Sequence, residues 1–342
     1  MNYGYSQQGK YFQSKHVATQ KQIADIRRVL LDDGREKGSR VAIVSNGSGL
    51  EFEVLLDRAL DIGRASFRGV PLAFLTPVGF SHPSYYDPQG LGWLRNWGGG
   101  LLTGCGLRNA GSPSSAEDEE FGLHGRLSNT PAENCASSCK WINDEYILSI
   151  TGVARQSRMF GENLELTRKI SVAAGKNEIL IEDSIENCAS KPSPLMLLYH
   201  INLGYPLLSE SSILEAPEHK VVPRDDIAET GIKDWHKCLP PTHGWEEQCF
   251  YHDLPEDQYG FASISMSNKE LGIKLTVSHR KNELPNLIQW KQMGQGEYVM
   301  GLEPANCHPE GLTKEREKGS LKEIEPGETV NTSVKISLTD LS

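Results

Sequence analysis

The sequence predicts an all-β protein, built as one large β-sandwich with few short helices. About a dozen short segments alternate apolar and polar residues with a period of two, and turns rich in Gly, Pro, Asn and Ser separate them. Helical periodicity is nearly absent from residues 146–342, which argues against helices alternating with the strands of a parallel sheet. No linker or composition shift divides the 342 residues, so we expect residues 1–342 to form a single domain.

The individual elements follow from these periods in chain order. Residues 20–33 are the candidate for an N-terminal helical segment, because Ile23, Ile26 and Leu30 recur at helical spacing and Gly34 follows as a stop signal. After this segment, alternation or short apolar runs predict strands. The predicted strands are residues 41–44, 52–56, 146–153, 164–172, 178–186, 195–201, 263–266, 272–278, 287–290, 298–302 and 329–338.

Residues 76–134 fit neither pattern and are unusually rich in glycine. A structureless stretch of this length is uncommon inside a compact domain unless it has a function. Because glycine lets the backbone approach a ligand closely, we expect this stretch to form a binding rim. The acidic run at residues 117–120 is predicted to be a solvated loop.

Composition excludes several classes of function. Lys plus Arg is 35 and Asp plus Glu is 45, and the resulting net charge of −10 argues against a nucleic-acid partner. The apolar runs are far shorter than a membrane helix, so we expect no membrane association. The seven cysteines are odd in number and without metal-site spacing, and residues 1–20 lack the apolar core of a signal peptide. We therefore expect reduced thiols and a cytoplasmic protein.

Three titratable residues stand in unusual settings. His200 ends an apolar strand, where it is either a core histidine or an acid–base group that titrates near neutral pH. Glu303 closes another apolar strand, where it is either a functional carboxylate or simply the exposed end of the strand. His124 lies in the glycine-flanked loop Gly122-Leu-His-Gly125 beside Arg126, and it could equally be a surface histidine. Two strands that each end in a titratable group make a shared site plausible.

Other residues are candidates for ligand contact. Arg108 and Asn109 offer a cation and an amide from a second glycine loop, while Trp290 is either a stacking surface or a core residue. His308 and Glu310 near Glu303 suggest a metal site, but no metal-binding or nucleotide-binding motif is present. We therefore expect no metal and no cofactor.

Five motif segments follow one another in a defined order over about residues 50–310. They are Arg58-Ala-Leu-Asp-Ile62 with Phe67-Arg-Gly69, Gly99-Gly-Leu-Leu-Thr-Gly-Cys-Gly-Leu107, Gly122-Leu-His-Gly-Arg126, Tyr199-His-Ile-Asn-Leu-Gly-Tyr-Pro206 and Gly301-Leu-Glu-Pro-Ala-Asn306. The order and setting of these segments resemble the aldose 1-epimerase (galactose mutarotase-like) superfamily, and specifically its DUF4432 branch. The resemblance implies a β-supersandwich fold, which agrees with the strand pattern.

The resemblance also implies roles for the candidate residues. His200 would be the general acid and Glu303 the general base that open and close a sugar ring, and no cofactor would be needed. His124 would contact the sugar. The remaining candidates for substrate binding are Arg108, Asn109, Arg126, Asn202 and Trp290.

Within residues 221–245, no residue matches the aspartate of the family's substrate-binding segment, so the identity of the sugar stays open. Three functions remain in view. The first is an aldose 1-epimerase-like enzyme, the second is another sugar isomerase or epimerase in the same pocket, and the third is a non-catalytic carbohydrate-binding protein. Glycoside hydrolysis is less expected because Glu303 lacks an obvious second carboxylate. The partner is a small-molecule sugar, and a homodimer is left open.

Overall fold

The computed structural model describes residues 15–116 and 119–341, which form two large antiparallel sheets and a small two-stranded one. The twelve-stranded sheet contains β1 Asp25–Leu30, β2 Arg40–Ser45, β3 Leu50–Leu55, β4 Asp61–Phe67, β5 Val70–Pro71, β6 Leu102–Leu107, β13 Ser193–Leu203, β15 Lys220–Pro223, β16 Gln248–Asp253, β19 Asn286–Gly294, β20 Glu297–Ala305 and β21 Lys322–Ile324. The eight-stranded sheet contains β9 Glu133–Ile142, β10 Glu145–Ser157, β11 Asn163–Ala173, β12 Glu178–Asn187, β14 Ser212–Glu215, β17 Phe261–Asn268, β18 Ile273–Arg280 and β22 Thr329–Asp340.

The small sheet and the helices lie in the connections. β7 Ser114–Ala116 pairs with β8 Glu119–Phe121. Two short α-helices occur in the described part of the chain, α1 Asp226–Gly231 and α2 Leu312–Glu317. Single turns of 3-10 helix cover Gln20–Gln22, Gly34–Glu36, Pro83–Tyr85, Gly92–Arg95, Leu127–Asn129 and Ile232–Asp234. The all-β prediction with few short helices is confirmed.

Strand β13 lies at the middle of the large sheet, between β6 and β20. All eleven of its residues are buried, because the sheet is covered on both faces at this point. Leu197, Tyr199 and Ile201 belong to the main core between the two sheets. Because side chains alternate along a strand, Met196 and Leu198 face the opposite side and join a second apolar cluster. His200 therefore lies on that second face.

A buried ionic cluster crosses the main core behind β13. Arg168 donates to Asp183 at 2.7 Å, and Tyr199 Oη donates to the same carboxylate at 2.6 Å. Asp61 lies 3.5 Å from Arg168 and accepts from the backbone N–H of Gly104 on β6 at 2.8 Å. Burial raises the pKa of Asp61 to about 7, with Arg168 opposing the shift. The cluster ties both sheets to the strand segment that carries His200.

The predicted strands are confirmed, since each overlaps a strand of the structure. The predicted helix over residues 20–33 is wrong. One 3-10 turn covers Gln20–Gln22, and β1 follows and pairs residue by residue with β2. Ile26 packs on the main core and Val29 on a smaller cluster, so strand pairing prevails over a helical spacing of apolar residues.

The glycine-rich stretch contains the buried strand β6, which the sequence pattern did not reveal. The prediction of a solvated acidic loop is wrong for Glu119, which is buried and pairs with Arg108, whereas Glu117 and Asp118 lie outside the described residues. Most of the polar N-terminal segment over residues 1–20 also lies outside them. All seven cysteines are free thiols. No helix among the described residues is both long and apolar enough to span a membrane.

Candidate active site

A cavity of about 270 Å³ opens on the second face of the large sheet, at its central strands. Its floor comes from β13, β16, β19 and β20, and its walls come from loops of the glycine-rich stretch and from the segments beside β16. The lining residues are Trp93, Leu94, Trp97, Gly111, Ser112, Leu123, His124, His200, Arg224, Glu247, Cys249, Ile288, Trp290, Glu303 and Pro309.

His200 and Glu303 meet on the floor of this cavity. The register that pairs Ile201 with Leu302 places the two residues opposite each other on β13 and β20. His200 Nε2 lies 3.3 Å from Glu303 Oε1, and both side chains are buried. The contact is not aligned as a hydrogen bond. Within the described residues, neither Glu303 Oε1 nor His200 Nδ1 has a hydrogen-bond partner.

Burial sets the protonation of this pair. It lowers the pKa of His200 to about 4, with the Asn202 side chain opposing the shift. It raises the pKa of Glu303 to about 8, and the negative charge of Glu247 adds to this rise while Arg224 opposes it. In both cases the low polarity of the site disfavours the charged form. Both shifts favour the state in which one proton lies on the carboxyl group beside a neutral imidazole.

His124 is presented to the cavity by a strained loop. Its φ of 56° lies in the left-handed region, and Gly125 beside it approaches the backbone so closely that a Cβ would lie 2.4 Å from Asn109 O. The backbone N–H of Gly111 donates to His124 Nδ1 at 3.3 Å, so the neutral ring carries its proton on Nε2. Burial and the neighbouring His200 hold the pKa of His124 well below its ordinary value.

Three tryptophans surround the pair. Trp93 and Trp97 are stacked with their ring centroids 5.1 Å apart, and Trp290 lies 5.9 Å from Trp97 and 5.3 Å from the His200 ring. Each indole N–H is used by the protein, on Ser128, Thr103 and Glu247 respectively. The rings therefore offer carbon surface to the cavity. Aromatic faces of this kind suit a ligand that carries apolar C–H groups as well as polar ones.

Arg224 and Glu247 complete the cavity wall. Glu247 accepts from Trp290 Nε1 at 2.7 Å and from Arg224 Nη2 at 3.1 Å. Arg224 also donates to Asp225 at 2.7 Å and to Cys249 Sγ at 2.9 Å. The guanidinium charge is thus balanced by two carboxylates. Glu247 is also the second carboxylate in the cavity that the sequence analysis did not identify.

The structure brings together four of the residues selected from sequence, namely His124, His200, Trp290 and Glu303. Four other candidates, Arg108, Asn109, Arg126 and Asn202, lie outside the cavity lining. The geometry therefore does not place them in direct contact with a substrate.

Arg108 is buried and donates to Glu119 at 2.6 Å and Glu162 at 3.3 Å, so its charge is already used. Asn109 bonds backbone atoms of the two loops that carry Gly111 and His124, and it therefore shapes the wall from behind.

Asn202 and Arg126 have structural positions as well. Asn202 donates to the carbonyl oxygens of Gly100 and His200. Arg126 is partly buried and precedes the 3-10 turn at Leu127–Asn129. His308 lies 3.8 Å from the buried Glu315, and no group of three metal-ligating side chains occurs in residues 15–116 and 119–341.

Sequence reasoning missed the four other aromatic or charged residues of the lining, Trp93, Trp97, Arg224 and Glu247. The two tryptophans stand four residues apart inside the glycine-rich stretch, and this spacing was a usable signal. Arg224 and Glu247 lie in polar runs without any pattern, and only the pairing of β16 with β15 and β19 brings them to the cavity.

Comparison with known proteins agrees with this architecture. The chain belongs to the DUF4432 family, described as a domain of unknown function, whose model matches residues 36–338. No curated protein matches the chain.

The solved structures that superpose on this chain share its galactose mutarotase-like β-sandwich fold. A "putative aldose 1-epimerase" from Klebsiella pneumoniae subsp. pneumoniae MGH 78578 superposes with a TM-score of 0.88 at 25% identity, covering 93% of this chain and 84% of that one. A galactose mutarotase-like protein from Clostridium acetobutylicum gives a TM-score of 0.67 at 12% identity, with coverages of 93% and 99%. Galactose 1-epimerase from Lactobacillus acidophilus NCFM gives 0.60 at 14% identity, with coverages of 93% and 100%.

Proposed function

We propose that this protein is an aldose 1-epimerase-type enzyme, which interconverts the anomers of a sugar by opening and reclosing its ring. The observation that carries the proposal is the buried His200–Glu303 pair, which lies 3.3 Å apart on the floor of a tryptophan-lined cavity. The likeness to aldose 1-epimerases in fold supports it by analogy. The cavity of about 270 Å³ lies just below the usual range for drug-sized ligands, which favours one sugar ring over an oligosaccharide.

The protonation of the pair supplies the two proton transfers that ring opening needs. Neutral His200 takes the proton of the anomeric hydroxyl while Glu303 gives its proton to the ring oxygen, and the C1–O5 bond breaks to leave an aldehyde. Rotation about C1–C2 turns the other face of the aldehyde toward the new hydroxyl. On reclosure, imidazolium His200 returns its proton to the C1 oxygen and carboxylate Glu303 recovers its proton from the attacking hydroxyl. No proton or electron is gained or lost over the cycle.

This order of transfers reverses the roles that the family resemblance implies, because burial leaves the resting proton on Glu303. His124 would donate its Nε2–H to a sugar hydroxyl, and the tryptophans would hold the carbon face of the ring. The lining contains Arg224 as a further polar group for the remaining hydroxyls.

Exchange NMR between α and β anomers tests the proposal, with catalytic amounts of protein and a panel of aldoses. We expect faster exchange for at least one sugar. His200→Asn and Glu303→Gln should each slow that exchange by about 10²- to 10⁴-fold, the usual contribution of one proton transfer. The exposed residues His243 and Glu246 give matched controls, since His243→Asn and Glu246→Gln should keep the wild-type rate.

Other outcomes identify the alternative functions. Deuterium from solvent appearing at C2 would indicate isomerisation or C2 epimerisation in the same pocket. Release of a free sugar from a glycoside would indicate hydrolysis with Glu247 as the second carboxylate. Sugar binding without turnover, altered only in affinity by the two variants, would indicate a carbohydrate-binding protein.

A further inference from the structure

Glu247 connects Trp290 of the cavity floor to Arg224 of the cavity wall. Its Oε2 accepts from Trp290 Nε1 at 2.7 Å, and its Oε1 accepts from Arg224 Nη2 at 3.1 Å. Glu247 is itself about half exposed, with 45% of its side-chain surface accessible. It therefore does not belong to the buried floor, and one of its two partners, Trp290, does.

Trp290 contacts His200 and lies close to the Glu303 carboxyl group. Its ring stands edge-on to His200 at a centroid distance of 5.3 Å. On the next strand, Trp290 is paired directly with Gly301, and the space above Gly301 is filled by the Glu303 carboxylate. A Cβ built on Gly301 would lie 2.5 Å from Glu303 Oε1 and 3.0 Å from Trp290 Cβ. The indole thus lies against the imidazole and beside the space that the carboxyl group fills.

The charge of Glu247 also acts on the pair. Five titratable or charged groups interact with the Glu303 carboxyl group. They are His200 on β13, Cys105 on β6, Cys249 on β16, and Arg224 and Glu247 beside β16. The two thiols are neutral because burial raises the pKa of each. The fixed charges are therefore those of Arg224 and Glu247, which act on Glu303 in opposite directions.

We propose that Glu247 is a positioning residue for the His200–Glu303 pair: its hydrogen bond to Trp290 fixes the indole that lies edge-on to His200 and beside the space filled by the Glu303 carboxyl group. The negative charge of Glu247 acts on Glu303 in addition. This inference rests on the proposed function for its effect on turnover. The positioning itself is a property of the unliganded protein and can be measured without a substrate.

Two substitutions separate the hydrogen bond from the charge. Glu247→Gln keeps an oxygen acceptor for Trp290 Nε1 and removes the charge, whereas Glu247→Ala removes both. Trp290→Phe keeps an aromatic ring and removes the indole N–H. Glu246→Gln is the matched control, because Glu246 is an exposed neighbour outside the cavity lining.

The first measurement is a ¹³C NMR titration of the Glu303 carboxyl group, assigned by its absence in Glu303→Gln. We expect the midpoint to fall in Glu247→Gln and to stay unchanged in Glu246→Gln, because removing a like charge eases ionisation. An unchanged midpoint in Glu247→Gln would overturn the charge effect. This titration is informative even if no aldose is converted, so its failure is distinct from failure of the proposed function.

The second measurement is a double-mutant cycle on the anomer-exchange rate. The rate of each variant is taken at its own optimum pH, so that the charge effect on Glu303 does not contribute. If Glu247 acts through Trp290, Glu247→Ala and Trp290→Phe should each lower kcat by about 10- to 100-fold, and the double variant should lose no more than Trp290→Phe. Glu247→Gln should retain most of the rate at its own optimum pH, with the alkaline limb of the profile moved to lower pH. Additive losses in the double variant would overturn the role through Trp290.

Discussion

Replacing Gly301 by alanine should impair the acid–base pair while leaving the fold intact. Gly301 is followed two residues later by Glu303 on the same face of β20, and it is paired with Trp290 on β19. The added Cβ would lie 2.5 Å from Glu303 Oε1, whereas carbon and oxygen atoms not bonded to each other pack at about 3.4 Å. The carboxyl group must therefore move by about 1 Å, and it is the part of this contact that can move most easily.

The size of the effect follows from that displacement. A misplacement of about 1 Å in a catalytic group can cost about 10²-fold in rate. Overpacking of a buried site costs about 1–3 kcal/mol, so the variant should remain folded. We therefore expect Gly301→Ala to lose about 10²-fold in kcat for anomer exchange, with the unfolding free energy lowered by no more than about 3 kcal/mol.

Exchange NMR and urea denaturation of the same preparations check this prediction. Gly294→Ala on β19 is the matched control, since its Cβ would meet nothing closer than 3.3 Å and Gly294 does not line the cavity. It should keep the wild-type rate. A Gly301→Ala variant that exchanges anomers as fast as wild type would show that the position of the Glu303 carboxyl group does not limit turnover.

Three further predictions concern the scaffold around the site. Arg108→Leu should lower the unfolding free energy by about 3 kcal/mol, because Arg158 would then be the remaining cation beside two buried carboxylates, Glu119 and Glu162. KM should be unchanged, and a raised KM would indicate that Arg108 binds substrate. Arg168→Leu should cost about 3–5 kcal/mol in urea denaturation, whereas its neighbour Lys169→Ala, which loses only an exposed ion pair, should cost at most about 1 kcal/mol. Folding raises the pKa of Glu303 from 4.5 to about 8, so wild-type stability is favoured below pH 4.5 and this contribution is lost as pH rises through about 8. Glu303→Gln should therefore gain in melting temperature relative to wild type between pH 5 and pH 9. Melting temperatures of the two proteins that change in parallel with pH would contradict the shift.

Much of the fold could be predicted because its signals are local. A strand whose one face is buried must alternate apolar and polar residues, and β10, β12 and β22 show this alternation both in sequence and in burial. Strand β6 was missed because it is buried at every position and built largely from Gly, Thr, Cys and Leu, so it carries no alternation. The segment over β1 was misread because its apolar spacing suits a helix, and only its pairing with β2 decides the outcome.

The candidate site shows the same division. His200 and Glu303 each interrupt an apolar strand, and an unusual polar residue in such a strand is visible in the sequence alone. The neighbouring positions of β13 and β20, and the register that brings these side chains within 3.3 Å, depend on the folded chain, as does the presence of Trp97 and Glu247 beside them. It also decided that Arg108 faces buried carboxylates instead of the cavity. Charge, burial and pKa depend on residues that are close in space but distant in the chain, and no local pattern records those contacts.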